Sequence, residues 1–251
     1  MSDVRVGVVG RGRLGTALVK ALRAAGYEVT GPAGRGEAPT GDALVLCVPD
    51  SEIAPAAAAA AGAAPLLGHT SGATPLSALE PAGAAALFGM HPLQTFTGSA
   101  SDAERFQGCR CAVGGSTPEA LAFAADLARS IGMEPFELGD DQRPAYHAAA
   151  SIASNFLVAL EAAAEEVAGC AGLEPAEARS ALAPLVRATV EGWAALGPER
   201  ALTGPVARGD ELTVAAQRAA VRDCAPHLEP LFDVMVERAQ ALAARREEVP
   251  A

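Results

Sequence analysis

The sequence predicts an α/β protein in which a mostly parallel sheet is followed by a second, all-helical domain. Two patterns carry this prediction. Short apolar runs rich in β-branched residues alternate with helical segments as far as residue 139, which is typical of a parallel sheet wrapped by helices. From Pro144 onward the apolar spacing is helical almost to the C-terminus. We therefore expect one domain over residues 1–140 and an all-helical domain over residues 141–251.

The first predicted strand is VRVGVV, residues 4–9, and the amphipathic segment TALVKALRAAG follows it. Further strands are predicted at YEVT (27–30), DALVLCVP (42–49), APLLGHT (64–70), AAALFGMHP (84–92), CRCAVGG (109–115) and MEPFELG (133–139). The last two flank the helical segment TPEALAFAADLARSIG, which opens with a Thr-Pro start signal. In the second domain, breaks between helices are expected at GCAGLEP, ALGPER and LTGPVARGD.

Composition limits the classes of partner. With 251 residues, half of them hydrophobic, the chain is long enough for two domains with cores of their own. A net charge of −11 argues against binding nucleic acid or an anionic membrane through bulk charge, because both need a basic surface. The apolar runs break before the roughly 20 residues that a membrane span needs, and no targeting leader is recognisable. We expect a cytoplasmic protein.

Cysteine and lysine usage narrows the chemistry. The five cysteines are odd in number and scattered, which predicts buried free thiols, with neither a disulfide framework nor a zinc or other metal site. Lys20 is the single lysine beside eighteen arginines. A mechanism that needs a lysine elsewhere is therefore excluded.

A glycine-rich turn joins the first predicted strand to the helical segment after it. GVVGRGRLG has G-x-G-x-x-G spacing in the strand-to-helix context that this motif requires. The first glycine allows a tight turn, the second lets a pyrophosphate approach the backbone, and the third lets helix and strand pack closely. The residues expected to contact a dinucleotide are Gly10, Arg11, Gly12, Arg13, Leu14 and Gly15. A glycine turn without a ligand is the alternative.

The residues after the second predicted strand bear on the choice of cofactor. An NAD site would carry an acid about 20 residues beyond the glycines to hold the ribose 2′-hydroxyl. That position reads VTGPAGRG, with Thr30 and Gly31 in place of the acid and Arg35 close by. Together with Arg11 and Arg13, these donors and cations favour a 2′-phosphate, which predicts NADP(H) over NAD(H). Solvated surface arginines are the alternative.

Three more strand ends bring small or polar residues to the carboxyl edge of the predicted sheet, where ligands bind in open α/β folds. They are the loops CVPDSEI, GHTSG and GMHPLQTF. Their convergence on one edge predicts a site more strongly than any of them alone. The residues expected to line it are Val48, Pro49, Asp50, His69, Thr70, Ser71 and His91. Asp50 has capping of the next helix as its alternative role.

Taken together, GVVGRGRLG, VPDSEI, GHTSGA, GMHPLQTF, YHAAASIASNFLVAL and LTGPVARGD resemble a family of Rossmann-like oxidoreductases with a C-terminal helical domain of unknown function. More distantly, the chain is similar to pyrroline-5-carboxylate reductase, ketopantoate reductase and the 6-phosphogluconate dehydrogenase superfamily. The resemblance implies NADP(H) bound at the N-terminal domain and a substrate between the domains, in a cleft lined by the first long helix of the second domain. It also implies dimerisation through the helical domains, and it names no substrate.

One departure from the superfamily affects the mechanism. The cleft helix of its hydroxyacid dehydrogenases carries a lysine acid or base and, four residues later, an asparagine. If Asn155 matches that asparagine, the lysine position holds Ser151, and no lysine follows residue 20. The lysine-dependent mechanism is therefore not available to this chain.

A polar stripe on the predicted helix RPAYHAAASIASN is the candidate replacement. At about 100° per residue from His147, Ser151 lies near ~40°, Ser154 near about −20° and Asn155 near ~80°. The unperturbed pKa of histidine, about 6.5, suits a general acid. We expect His147 to be that acid, with Ser151 and Asn155 orienting the substrate oxygen and Ser154 contacting substrate.

Other assignments for this stripe stay open. His91 is the rival acid, and Tyr146, about 100° away on the helix, is not expected to share the face of His147. A hydrogen-bonded histidine at the domain interface is the alternative for His147. Close packing of small residues is the alternative for Ser151 and Ser154.

The loop LTGPVARGD, residues 202–210, is a second candidate for substrate contact. Arg208 is expected to hold a substrate carboxylate and Thr203 to contact substrate as well, with Thr203 and Asp210 shaping the loop. A plain connector in which Asp210 caps the following helix is the alternative. Trp193 is expected in the core or in a dimer contact.

The sequence as a whole predicts an NADP(H)-dependent reductase or dehydrogenase, transferring hydride to or from a small carbonyl, imine or hydroxy-acid compound. It is expected to be a homodimer formed through the helical domain, with no nucleic-acid, membrane or metal partner. A non-catalytic NADP-binding sensor and a deazaflavin-linked NADP oxidoreductase are the two alternatives.

Overall fold

Seven strands form one sheet in the N-terminal part of the chain, and each lies where the sequence predicts a strand. The computed structural model describes residues 4–37 and 39–247. The strands are β1 (Arg5–Val9), β2 (Glu28–Ala33), β3 (Ala43–Leu46), β4 (Leu66–His69), β5 (Ala86–Pro92), β6 (Arg110–Gly115) and β7 (Glu134–Glu137). Their order is β2-β1-β3-β4-β5-β6-β7, and every pair is parallel except β5 with β6. The predicted mostly parallel sheet is confirmed.

Helices cover both faces of this sheet. They are α1 (Arg13–Ala24), α2 (Ile53–Ala59) and α3 (Pro118–Ser130). Successive side chains of a strand point to opposite faces. Accordingly, Ala43 and Val45 of β3 join the core cluster that contains α1 and α3, while Leu44 and Leu46 join the cluster that contains α2. Each face of the sheet therefore has its own apolar core.

The second strand is longer than predicted. β2 continues through Gly31 and Pro32 to Ala33, which pairs with Val9 across a register shift in the ladder. Gly31 has φ 101°, and a side chain there would overlap the Val8 carbonyl oxygen, so only glycine fits. The prediction that this strand ends at Thr30 is wrong, because a glycine with positive φ carries the strand past the proline. The carboxyl end of β2 is therefore at Ala33.

The chain divides into two compact units, and the boundary along the sequence falls between Ser154 and Asn155. Helix α4 (Arg143–Ser151) belongs to the first unit and is followed by a π-helix, Ile152–Phe156. This boundary lies later than the expected one at residue 140. The reason is that Arg143 and Tyr146 make their contacts with residues of the sheet unit.

Five further α-helices lie in the described part of the second unit. They are α5 (Leu157–Cys170), α6 (Pro175–Leu196), α7 (Pro198–Ala201), α8 (Glu211–Cys224) and α9 (Glu229–Glu247). The breaks between α5 and α6, between α6 and α7, and before α8 fall in the predicted segments. The expected all-helical C-terminal region is confirmed.

Two expectations about this region need correction. Cys170 and Cys224, at the ends of α5 and α8, form a disulfide with a Cα–Cα distance of 6.1 Å, because the fold brings these helix ends together. Cys47, Cys109 and Cys111 are free, as predicted. The helical stretch Arg143–Cys170 has 28 residues and a mean hydropathy of 1.2, enough to cross a membrane by length and composition alone. Its alanines connect apolar runs that, taken one at a time, are too short to span a membrane.

Candidate functional site

The glycine turn between β1 and α1 has the geometry that its motif requires. Gly10 has φ 114°, and a side chain there would overlap the Cys47 carbonyl oxygen. A side chain at Gly15 would overlap the Gly10 carbonyl oxygen, so this glycine is what allows helix and strand to pack closely. Gly12 differs from both, because a Cβ there would have no neighbouring atom within 4 Å. Its backbone is therefore bare and faces open space.

A cavity of about 540 Å³ opens beside this turn. It is bounded by the β1–α1 turn, by the residues after β2 and by the connection from β3 to α2. Its lining includes Gly10, Arg11, Gly12, Gly34, Arg35, Glu37, Val48, Pro49 and Glu52. Six of the predicted cofactor contacts are thus together at one cavity: Gly10, Arg11, Gly12, Arg35, Val48 and Pro49.

The remaining predicted contacts of the turn and of the β3–α2 loop lie elsewhere. Arg13 lines a separate cavity of about 450 Å³ with Arg11, Gly12 and Lys20. Leu14 packs against the apolar core. Asp50 is exposed and forms no side-chain cap, so neither of its expected roles has support in the contacts.

Thr30 does not reach the cavity. Its hydroxyl donates to the Thr40 carbonyl at 3.1 Å, within the segment that follows β2. Because β2 ends at Ala33, Thr30 does not lie at the carboxyl end of the strand. The expectation that Thr30 contacts the cofactor is corrected accordingly.

Two ion pairs lie at the cavity, and neither of their acids was singled out from the sequence. Arg11 pairs with Glu37, and Arg35 pairs with Glu52 at 2.9 Å. Glu37 also accepts a 3.0 Å hydrogen bond from the Gly34 amide. The Gly34 amide and Arg11 together hold the pKa of Glu37 below its usual value, so this carboxylate is charged at neutral pH. An acid does follow β2, contrary to the prediction.

The loop after β4 is buried and held by its own polar groups. His69, Thr70 and Ser71 are all buried. The Ser71 amide donates to His69 Nδ1 at 3.2 Å, and the Ser71 hydroxyl accepts from the Thr74 amide at 3.0 Å. Thr70 Oγ1 donates to the Leu46 carbonyl at 3.4 Å. The Thr70 and Ser71 hydroxyls are thus used within the protein, and the expected contacts of His69, Thr70 and Ser71 with a ligand stay predictions.

His69 is the one buried group in this loop with an unused polar atom. Its Nε2 makes no hydrogen bond within the described part of the chain. Burial, aided by the positive charge of Arg143, lowers the pKa of His69 to about 4. The imidazole is therefore neutral at physiological pH.

A cluster of aromatic and imidazole rings connects β5 to α4. The Tyr146 hydroxyl and His91 Nδ1 share a hydrogen bond of 2.7 Å, in which the imidazole tautomer decides the donor. The rings of His91 and His147 lie 6.3 Å apart, centre to centre. Tyr146 and His147 are consecutive residues of α4, and His91 of β5 lies close to both of them. The expectation that Tyr146 takes no part in a site with His147 is therefore wrong.

Burial sets the protonation of this cluster. It lowers the pKa of His91 to about 4, with His147 and Arg143 adding to the effect. It raises the pKa of Tyr146 to about 12. At neutral pH, His91 is uncharged and the Tyr146 hydroxyl keeps its proton. Gly72 packs against both imidazoles, since a Cβ there would lie 2.9 Å from His91 Cε1 and 3.0 Å from His147 Cδ2.

Arg143 anchors the first turn of α4 and was not recognised from the sequence. Its side chain is 1% exposed, and its Nε donates to Asp140 at 2.6 Å. Its Nη1 donates to the Ser71 carbonyl at 3.3 Å. Gly89 and Gly114 lie opposite each other in the β5–β6 pair and leave room for the guanidinium. Two facing strand glycines are the signal that could have indicated a buried group here.

The polar stripe does not keep one helical face. Ser151 is half-buried in the last turn of α4, whereas Ser154 and Asn155 are exposed in the π-helix. The expected angles assume 100° per residue, and a π-helix turns by less. Those angles therefore fail beyond Ser151.

The predicted substrate residues of the second unit lie in a connector. Thr203 and Arg208 are exposed, and Arg208 ends the short 3₁₀ turn Val206–Arg208. Asp210 accepts from the Thr213 amide at 3.1 Å and from the Thr213 hydroxyl at 2.7 Å, which confirms the capping role for this residue. Trp193 is 55% exposed, so it is no core residue of the unit. Among the described residues, no group of His, Cys, Asp or Glu is arranged to hold a metal ion.

The sheet order, the glycine turn and the helical C-terminal part define a Rossmann-like α/β protein with a helical second unit. Residues 109–239 match the family described as domain of unknown function DUF2520. The chain belongs to that family. No curated protein matches the sequence.

Solved structures share the fold along nearly the whole chain. A candidate NADP oxidoreductase from Bacteroides fragilis is 22% identical, with a TM-score of 0.78 over 95% of this chain and 98% of its own. A protein from Thermotoga maritima is 24% identical, with a TM-score of 0.77 over 96% and 99%. Pyrroline carboxylate reductase from Plasmodium falciparum, solved with NADP bound, is 12% identical, with a TM-score of 0.58 over 97% and 99%.

Proposed function

We propose that this protein is an oxidoreductase that uses NADP(H) to transfer hydride to or from a small carbonyl, imine or hydroxy-acid compound. The observation that carries the proposal is the cavity beside the glycine turn, where the bare backbone of Gly12 faces open space. A side chain at that position would obstruct a pyrophosphate, which is the reason such turns use glycine. The NADP oxidoreductases that share the fold support the same class.

The choice of NADP(H) rests on the cations of the cavity. Arg11 and Arg35 line it, and guanidinium groups suit a 2′-phosphate because they donate several hydrogen bonds in a planar fork. The fold by itself does not decide the cofactor, since a structure with this fold is described as NADH-preferring. Tighter binding of NADH than of NADPH would contradict this part of the proposal.

The residues proposed to handle the proton are His147, His91 and Tyr146. When bound, the nicotinamide supplies or accepts the hydride, and the protein must deliver or remove the accompanying proton. His91 and Tyr146 are both uncharged at neutral pH, and the 2.7 Å hydrogen bond between them holds the two groups in place within the ring cluster. His147 faces the same Gly72 and is the proposed general acid. The orienting roles of Ser151 and Asn155, and the substrate contacts of Ser154, Thr203 and Arg208, stay predictions.

A matched pair of glycine variants tests the cofactor site. Gly12→Ala has room for its methyl group and a backbone of φ −68°, so the protein should fold normally while NADPH binding weakens at least about tenfold. Gly192→Ala, in α6, also has no neighbour within 4 Å and should leave binding unchanged. Calorimetric dissociation constants for NADPH decide the outcome, and equal binding by Gly12→Ala would reject the site.

Turnover separates the enzyme from its alternatives. NADPH oxidation should be screened with small carbonyl compounds, imines and a deazaflavin acceptor. Saturable turnover with the first two supports the proposal, and turnover with deazaflavin alone selects the deazaflavin-linked reading. Binding without turnover favours the sensor. His147→Gln should slow turnover by about 10²-fold or more while NADPH binding stays intact.

We also propose that the helical unit forms a homodimer. Phe156, Val158, Leu185 and Trp193 are each more than half exposed, which is unusual for large apolar side chains on one unit. A lipid is the weaker explanation for the apolar stretch Arg143–Cys170, because Arg143 is buried and Glu165 is held by Arg179 at 2.7 Å. On these grounds we propose that this stretch packs against protein, and the cytoplasmic location stays a prediction.

The mass in solution tests the dimer. Light scattering should give twice the mass of one chain, and Leu185→Glu should shift the population to monomer. Glu191→Gln on the same helix is the control. A monomeric wild-type protein that sediments with phospholipid vesicles would reverse this assignment.

A further inference from the structure

The cofactor cavity contains two carboxylates whose presence a simple NADP(H) site does not explain. A 2′-phosphate brings negative charge, and like charges in close contact are unfavourable. Glu37 and Glu52 nevertheless line the cavity, each paired with an arginine that would otherwise be free for the phosphate. The cations and anions therefore balance one another.

The two carboxylates are held in different ways. Glu37 bonds both Arg11 and the amide of Gly34, the first residue after β2. The Arg11 guanidinium in turn lies against Gly34 and donates from Nε to the Pro32 carbonyl at 3.3 Å. Within the described residues, the Glu52 carboxylate bonds only Arg35, whose side chain is 89% exposed. Both pairs lie at the surface, but Glu37 is also bonded to the backbone at the end of β2, and Glu52 is not.

We propose that Glu37 is the specificity-determining residue of the cofactor site and that its pairing with Arg11 makes the site accept NADH as well as NADPH. The inference rests on the proposed function, because it concerns the same cavity. In this proposal Glu37 favours NADH, whereas Arg11 and Arg35 favour NADPH.

The two cofactors need different groups at the end of β2. A carboxylate there can accept hydrogen bonds from the ribose hydroxyl of NADH. For NADPH, the same carboxylate repels the 2′-phosphate and occupies the Arg11 guanidinium that would bind it. Arg11 therefore binds NADPH and Glu37 binds NADH. When no cofactor is bound, the two side chains pair with each other.

Substitution of Glu37 should change the affinities for the two cofactors in opposite directions. Glu37→Gln frees Arg11 and removes the charge, so NADPH binding should tighten about tenfold and NADH binding weaken about tenfold, the effect expected for one charged hydrogen bond. Glu52→Gln frees Arg35 without touching the end of β2, so only NADPH binding should tighten. Glu28→Gln is the matched control, because Glu28 also pairs with an arginine, Arg5, but does not line the cavity.

The reciprocal variant tests the same pair from the other side. Arg11→Gln leaves Glu37 free and should weaken NADPH binding about tenfold while NADH binding is kept. Dissociation constants for NADPH and NADH are measured by calorimetry on the full chain, and thermal unfolding confirms that each variant folds. Opposite shifts in Glu37→Gln and Arg11→Gln support the proposal.

Three outcomes overturn it. An unchanged ratio of the two dissociation constants in Glu37→Gln rejects the role of Glu37 while leaving the proposed function standing. Wild-type binding of NADPH without measurable NADH binding has the same meaning. If the wild-type protein binds neither nucleotide, both the inference and the proposed cofactor site are wrong.

Discussion

The α/β unit and the helical unit treat their large apolar side chains differently. In the first, Phe88, Phe106, Leu18 and Leu22 are fully buried. In the second, the buried apolar residues within the described part are small: Ala178, Val214, Val221, Ala225 and Val236. Large residues of that unit, such as Leu185 and Trp193, stay more than half exposed.

This contrast shows which of the two units a single chain can pack by itself. A sheet with helices on both faces removes its strands from water, so the α/β unit needs no partner for its core. The helical unit has the apolar spacing of helices but not enough partners for all its faces. Its remaining apolar surface is what the proposed dimer would cover. Matched substitutions in the two units test whether this difference in packing holds.

Two phenylalanines give the largest expected difference. Phe88→Ala should destabilise the α/β unit by about 3–5 kcal/mol, because Phe88 is fully buried and packs edge-on against Phe123. Phe156→Ala should cost less than about 1 kcal/mol in the monomer, since Phe156 is 60% exposed. Urea unfolding measures the loss in the free energy of unfolding of each variant. Hydrogen exchange resolved by peptide then shows which unit has lost stability. Equal losses would mean that the helical unit is packed as tightly as the sheet.

Acid should affect the two units unequally. Burial lowers the pKa values of His69 and His91 to about 4 in the folded unit, against about 6.5 in an unfolded chain. The folded unit binds fewer protons in that range, so this contribution is complete above about pH 6.5 and is lost as the pH falls towards 4. From pH 7 to pH 5 the α/β unit should lose about 2 kcal/mol for each histidine.

The helical unit provides the internal reference for that measurement. Its one histidine, His227, has a side chain that is 63% exposed. The urea midpoint should decrease between pH 7 and pH 5. Hydrogen exchange resolved by peptide should place most of this loss of stability in the α/β unit. His91→Gln should remove about half of the acid loss, and an unchanged loss in that variant would assign the effect to other groups.

The sequence predicted the fold well where one local pattern decides the structure. Buried apolar runs located all seven strands, and Thr117, whose hydroxyl accepts from the Ala120 amide at 3.2 Å, opens α3 as its Thr-Pro signal indicated. Gly10, Gly12 and Gly15 were recognised because their spacing has a steric cause within a few residues. Local steric and capping rules are readable from a single chain.

The site was predicted less well, because its contacts join distant residues. Tyr146 was set aside by its angle on a helix, yet its partner His91 comes from a strand. Arg143 needs the facing glycines of β5 and β6, and these become a pair only when the strands align. Glu37 was missed because Gly31 lets the strand continue past a proline. Spacing along a chain does not contain such pairings.

A pair of glycines should give a smaller effect of opposite sign in the two units. Gly72→Ala places a methyl group against His91 and His147 and should cost about 1–3 kcal/mol. Gly192→Ala adds a methyl group in open space within α6 and should stabilise that helix by about 0.5–1 kcal/mol. Urea unfolding of both variants measures the difference. A neutral Gly72→Ala would mean that the two imidazoles can move apart freely.

Helix caps should give the smallest effect and should not distinguish the units. The Thr117 side chain caps α3, and the Asp210 side chain caps α8. Each satisfies a backbone amide of the first turn, which is a local contribution, so Thr117→Ala and Asp210→Ala should each cost about 1 kcal/mol in its own unit. The comparison between the units concerns burial, and a cap does not depend on burial. A loss several times larger at Asp210 than at Thr117, measured by the same exchange experiment, would show that the loop before α8 supports more of the helical unit than its first turn.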